Sequence, residues 1–170
     1  MSFKEIIKLK LLLAFMCSMV ALLGHAQAEM IDQKKLWGKW SCIASLDVEE
    51  YQLVEFSNVD FQKSGASPQT GIVHFSNESD EAFLKYEAKS NWALKGNKLI
   101  FQNLKFHNFS IDNPAFDERY HITKDLVEPA GDDVFSIVKL TADELVYRFD
   151  NTDFESLGFT VVCDKSELAL

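Results

Sequence analysis

The sequence predicts a mainly β protein: a single antiparallel meander of about eight strands that closes into a small barrel, with one short helix near residues 114–128. Three observations carry this expectation. Apolar and polar residues alternate with a period of two over many short runs, and turn residues separate those runs. Cys42 and Cys163 stand near the two ends of the folded part of the chain. Closing a meander removes its exposed strand edges, and a bridge between first and last strands fits closure.

The N-terminal segment stands apart from the fold. Lys4, Lys8 and Lys10 precede an apolar run, Leu11 to Leu23, that only Ser18 interrupts, and Ala26-Gln27-Ala28 supplies small residues for a signal peptidase. Residues 1–28 therefore read as a bacterial-type secretory signal cleaved after Ala28. A retained membrane anchor is the competing reading, because the run is marginal in length for a span. Met16 is too large to precede a lipoprotein cysteine, so Cys17 belongs to the signal core. No later apolar run is long enough to cross a bilayer, so no membrane span is expected after cleavage. Residues 29–165 form one domain and 166–170 a loose tail, in a periplasmic or secreted protein.

The full chain has 17 basic and 26 acidic residues, a net charge of −9, and losing Lys4, Glu5, Lys8 and Lys10 takes this to −11. Such a surface repels phosphate backbones and argues against nucleic-acid binding. With 14 Phe, 4 Tyr and 3 Trp, the chain is too rich in aromatics to be disordered. Two cysteines in an exported chain predict a Cys42–Cys163 disulfide, with two free buried thiols as the alternative.

In chain order, residues 29–37 read as a short helix or an extended lead-in. Trp40, Cys42, Ala44 and Leu46 alternate with Ser41, Ile43 and Ser45 in the first strand. Tyr51 to Lys63 is the second, and its apolar positions change parity between Val54/Phe56 and Val59/Phe61, which predicts a bulge or bend near Ser57-Asn58. Gly71 to Ser76 is the third. Ala82, Leu84, Tyr86, Ala88, Trp92 and Leu94 share one parity along one long fourth strand, or two joined by a bend at Ser90-Asn91. Leu99 to Phe106 is the fifth, with a phase slip by Leu104 that predicts another bulge. Asn113-Pro114 starts the helix, whose apolar face is Phe116, Tyr120, Thr123 and Val127. Ile122-Thr123 also suits a strand. Val134 to Leu140, Glu144 to Phe149 and Leu157 to Cys163 complete the set.

No motif names a reaction, so the expectation is a protein that is not an enzyme and holds no cofactor. His74, His107 and His121 lack metal-ligand spacing, and no nucleophile elbow or phosphate loop is present. Asp132-Asp133 and the other acidic pairs read as solvated turns. Asp150, Asp153 and Glu155 do not have the spacing of a calcium loop. The aromatics remain. Phe75, Tyr86, Trp92, Phe101, Phe106, Phe149 and Phe159 pack a core, line a cavity for a small hydrophobic ligand, or form an exposed docking patch.

Leu36-Trp37-Gly38-Lys39-Trp40 resembles the L-x-G-x-W opening of lipocalin-like (calycin) barrels. The resemblance covers Gly38 and Trp40 and the run of hairpins with a late helix. It implies that Gly38 begins the first strand and that Trp40 closes one barrel end, a role beside which ordinary core packing stands open. No arginine follows Arg148 to stack on that tryptophan. Ser90 to Leu99, and the order of helix then Ile137 to Leu145, resemble ToxS- and VtrC-type periplasmic proteins. That likeness implies pairing with the periplasmic part of a membrane-bound regulator and a retained anchor. The function these readings imply is binding of a small apolar or amphipathic ligand; the alternative is an interaction or regulatory subunit for an envelope protein.

Overall fold

The computed structural model describes residues 31–48, 50–127, 131–149 and 159–166. The expected signal segment, Leu157, Asp150, Asp153, Glu155 and residues 167–170 lie outside these. Eight strands pair in chain order, and the last closes on the first to make an antiparallel barrel. They are β1 (Gly38–Asp47), β2 (Gln52–Phe61), β3 (Ala66–Ser76), β4 (Glu81–Lys95), β5 (Lys98–Ile111), β6 (Asp133–Leu140), β7 (Glu144–Phe149) and β8 (Thr160–Lys165). No helix among the described residues is long and apolar enough to cross a membrane.

A 3-10 turn, Gln33–Lys35, precedes β1, with the Asp32 carboxylate accepting from the Lys34 amide at 3.0 Å. Gly38 begins β1 at φ +108°, where a side chain would be strained. Cys42 lies directly opposite Cys163, with their Cα atoms 4.0 Å apart, and the expected disulfide is formed. Trp40 is wholly buried beside Leu36, and its Nε1 donates to the Leu36 carbonyl at 2.7 Å. Lys165 Nζ sits 4.3 Å from the centre of the Trp40 ring and donates to the carbonyls of Lys35 and Trp37. A lysine thus holds the stacking position for which no late arginine exists. Burial pushes its pKa down. Ser166, placed in the tail by the sequence reading, still donates its amide to the Lys39 carbonyl at 3.0 Å.

Two expectations are corrected. The bulge near Ser57-Asn58 does not exist: β1 and β2 stay in register from Gly38↔Phe61 to Asp47↔Gln52. Leu53, Glu55, Ser57, Val59 and Phe61 keep one parity, with Val59 and Phe61 buried and Phe56 outside and exposed. The apparent change of phase arises because the barrel interior accepts two polar residues. The single helix is two, α1 (Pro114–Tyr120) and α2 (Ile122–Val127). Asn113 caps the first by accepting from the Phe116 amide, and His121 ends it at φ +57°. The Asp117 carboxylate then holds the Thr123 amide at 2.8 Å. The break turns the second face, so Ile122 is buried and Val127 is 65% exposed.

The bulge expected by Leu104 is present. Pairing of β5 with β4 shifts between Lys89 and Asn91, at Asn103 (φ +54°), and again at His107. These shifts keep Leu104, Phe106, Phe109 and Ile111 packed against the core.

Candidate functional site

Inward side chains form two apolar groups. One surrounds Trp40, Phe61, Trp92, Leu99 and Leu145, and the other surrounds Phe75, Leu84, Phe116 and Ile122. Polar residues interrupt the interior between them. Glu55 and Ser57 enter from β2, Gln69 from β3, Tyr86 from β4 and Tyr147 from β7, each on the inward parity of its strand. They border a chamber of ≈ 170 Å³ whose other walls include Val59, Phe101, Leu104, Phe106, Phe135 and Val161. Asp133 and Phe159 also line it, and with Phe135 they line a second cavity of ≈ 220 Å³ toward Leu46 and Phe149. Since β5 pairs with β6 only over Lys98–Phe101, Leu104 and Phe106 stand on the stretch of β5 beyond that seam.

The Tyr86 hydroxyl donates to the Glu55 carboxylate. Glu55 keeps some free surface because it borders the chamber, yet protein surrounds it. Loss of bulk water pushes its carboxyl up from the usual range, against hydrogen bonds from Tyr86 and Ser57 that favour the charged form. Burial, then the nearby Glu55 charge, pushes the Tyr86 and Tyr147 hydroxyls up. Asp133 is raised by burial and by Asp132 beside it, so this residue is not the solvated turn expected. The groups that face Glu55 across the chamber are Ser57, Gln69, Tyr86, Asp133 and Tyr147. The folded state of Glu55 therefore keeps a proton that the unfolded state loses as pH rises past about 4.3. Its contribution to stability falls as pH rises toward the folded pKa, and Asp133 acts in the same direction. Glu55→Gln is expected to lose less stability than wild type as pH rises above about 4.3, read from urea midpoints. Equal losses would show that Glu55 is ionised throughout.

Gly71 sets the place of Tyr86. The two are cross-strand partners, and a Cβ at Gly71 would lie 2.6 Å from the Tyr86 ring and hydroxyl. Gly71→Ala is expected to drive the ring off Glu55 and cost about 1–3 kcal/mol as an overpacked site. The additional replacement Tyr86→Leu should restore part of that loss, whereas additive urea midpoints would show that the two sites do not touch.

Of the aromatics singled out in the sequence, Tyr86, Phe101, Phe106 and Phe159 line the chamber and Phe149 the second cavity. Phe75 packs instead on Tyr51 and Phe116, at 5.6 and 6.0 Å between ring centres. Trp92 packs edge-on to Phe61 at 5.5 Å and donates to the Gln62 carbonyl. His74, stacked on Phe83 and paired with Glu81, lies outside the chamber lining, as do His107 and His121. Among the described residues no three His, Cys, Asp or Glu side chains group as metal ligands. Sequence reasoning missed Glu55, Ser57, Gln69, Phe135 and Tyr147. Holding β2 to one parity would have placed the first two inside.

The architecture is an eight-stranded up-and-down barrel with a tryptophan at the head of β1. The fold is a small, closed antiparallel barrel. Among solved structures it is similar to a lipocalin-like protein from Bacteroides uniformis, with 16% sequence identity, 78% of this chain and 99% of that chain covered, and a TM-score of 0.41. No protein-family model and no curated protein sequence matches the chain.

The outer face of the barrel carries a second feature. Val162, Ile43, Phe56 and Ile72 are consecutive cross-strand partners on β8, β1, β2 and β3, and all four are exposed, Phe56 to 55%. Phe56 and Ile72 also border a broad outer groove of ≈ 880 Å³ shared with Asn58, Thr70 and Lys85. That groove is larger than the chamber, but the buried polar groups converge on the chamber.

Proposed function

We propose that the chain is an exported, periplasmic protein that binds a small apolar or amphipathic ligand inside its barrel, without catalysis. The observation that carries this reading is the chamber itself, where Glu55, Ser57 and Tyr86 meet under aromatic walls. A barrel of eight strands is just wide enough to be filled by side chains or to hold one small ligand. The chamber and its neighbour, ≈ 170 and ≈ 220 Å³, favour a ligand smaller than those of the roughly 300–1,000 Å³ sites common for drug-sized molecules. Tyr86, Phe101, Phe106 and Phe159 are its lining in this reading, and Phe149 lines the adjoining space. The disulfide supports export, since such bonds persist in oxidising compartments, and so does the reading of residues 1–28 as a cleaved signal. Native mass spectrometry of the protein taken from its own periplasm tests the proposal. A small retained mass is expected, and it should be absent from Val161→Phe, which fills the chamber. Wild type that carries no small molecule would defeat it.

The second reading, an interaction or regulatory subunit that pairs with an envelope or membrane-bound sensor protein, rests on the outer apolar row. Exposed contiguous apolar surface of this kind marks interaction sites. Under that reading a partner co-purifies with wild type and is lost from Phe56→Ser/Ile72→Ser. Its retention by the double variant would remove the row from consideration.

A further inference from the structure

The chamber's chemistry narrows the class of ligand, on the reading that the chamber binds one. Among the described residues its walls carry two carboxyl groups, Glu55 and Asp133, and no Lys, Arg or His side chain. Glu55 meets only neutral hydroxyls, those of Tyr86 and Ser57, and belongs to no ion pair among the described residues. An ionised carboxylate enclosed in this way lacks the counter-charge that buried charges need. Aromatic rings border the same space, Tyr86 and Phe106 at 5.3 Å from each other and Phe135 and Tyr147 at 5.0 Å. Ring faces attract cations, most strongly where water is excluded.

We propose that the chamber takes a small organic amine, its ammonium group docked on Glu55 and its apolar body among Phe101, Phe106, Phe135 and Phe159. The cation supplies the missing counter-charge. The Tyr86 hydroxyl holds one carboxylate oxygen, Ser57 supplies a second hydrogen bond, and the remaining lone pairs of the carboxylate accept the ammonium. Where Glu55 is neutral before binding, its proton leaves to solvent as the ammonium arrives, and the amine stays protonated. Asp133, toward the second cavity, adds a further negative charge on the same side of the balance. The chain's net charge of −9 raises the local concentration of cations around it. A fatty acid or any other anionic head group would meet two carboxyls and, among the described lining residues, no base.

Calorimetric titration of the mature protein with phenethylamine, phenethyl alcohol and phenylacetate tests this, because the three probes differ chiefly in charge. The amine is expected to bind about tenfold or more tighter than the alcohol, a difference of roughly 1.4 kcal/mol or more, with phenylacetate weakest. Glu55→Gln should bring the amine down to the level of the alcohol. Repeating the amine titration in buffers of different ionisation enthalpy should show proton release by wild type and none by the variant. The probe series on wild type stands even where the variant fails to fold. Equal or tighter binding of the alcohol or of phenylacetate would overturn the amine assignment while leaving the binding reading intact. Amine binding unchanged in Glu55→Gln would also overturn it. No binding of any probe overturns it too, and if native mass spectrometry also finds no small molecule, the binding reading falls with it.

Discussion

Removing the Cys42–Cys163 bridge is expected to cost about 4–5 kcal/mol, the chain-entropy value for a closed loop of this length. The bridge spans 121 positions of the sequence, so reduction frees nearly the whole domain in the unfolded state. The folded state loses little else, because β1 and β8 remain paired from Ser45↔Thr160 to Trp40↔Lys165. Urea midpoints of oxidised protein, reduced protein and Cys42→Ala/Cys163→Ala measure the effect. The oxidised protein should unfold at a clearly higher midpoint than the other two. A loss under about 1 kcal/mol would mean that the reduced unfolded chain already holds its ends together.

Trp40→Ala is expected to cost about 3–5 kcal/mol, the range for truncating a buried large aromatic. The ring is fully enclosed, packed in one core cluster with Leu36 and Phe61 and lying under the Lys165 ammonium group. Lys165 would also lose the ring face beneath its ammonium group. Trp40→Phe separates these effects. It keeps most of the apolar volume but drops the hydrogen bond to the Leu36 carbonyl, a loss of about 1 kcal/mol. Thermal and urea unfolding of the two variants should rank them in that order. If Trp40→Ala costs no more than Trp40→Phe, the ring is not the plug that its burial implies.

Strand positions were legible because a half-buried strand shows a period of two whatever its partners are. β1, β4 and β7 follow their alternation closely, and the phase slip at Leu104 marked a real bulge. The same rule misled at β2. Period-two reasoning treats the apolar side as the inside, so Val54 and Phe56 appeared to require a bulge. Their strand in fact turns Glu55 and Ser57 inward and leaves Phe56 on the surface. Polarity alone does not separate a buried, hydrogen-bonded carboxyl from a solvated one. Asp133 was misread for the same reason. Lys165 escaped notice because its role depends on Trp40, which lies 125 positions earlier.

By itself the sequence determined the mainly β meander, the pairing of Cys42 with Cys163, the glycine at the head of β1 and the tryptophan beside it. The first two follow from local pattern and cysteine count, and the last two from the resemblance of Leu36–Trp40 to the opening of lipocalin-like barrels. The tertiary structure alone decided which aromatics border open space, where the helix breaks, and that Glu55, Tyr86 and Tyr147 converge. Those outcomes depend on strand register around the closed barrel, in which residues far apart in sequence become neighbours across a few ångströms.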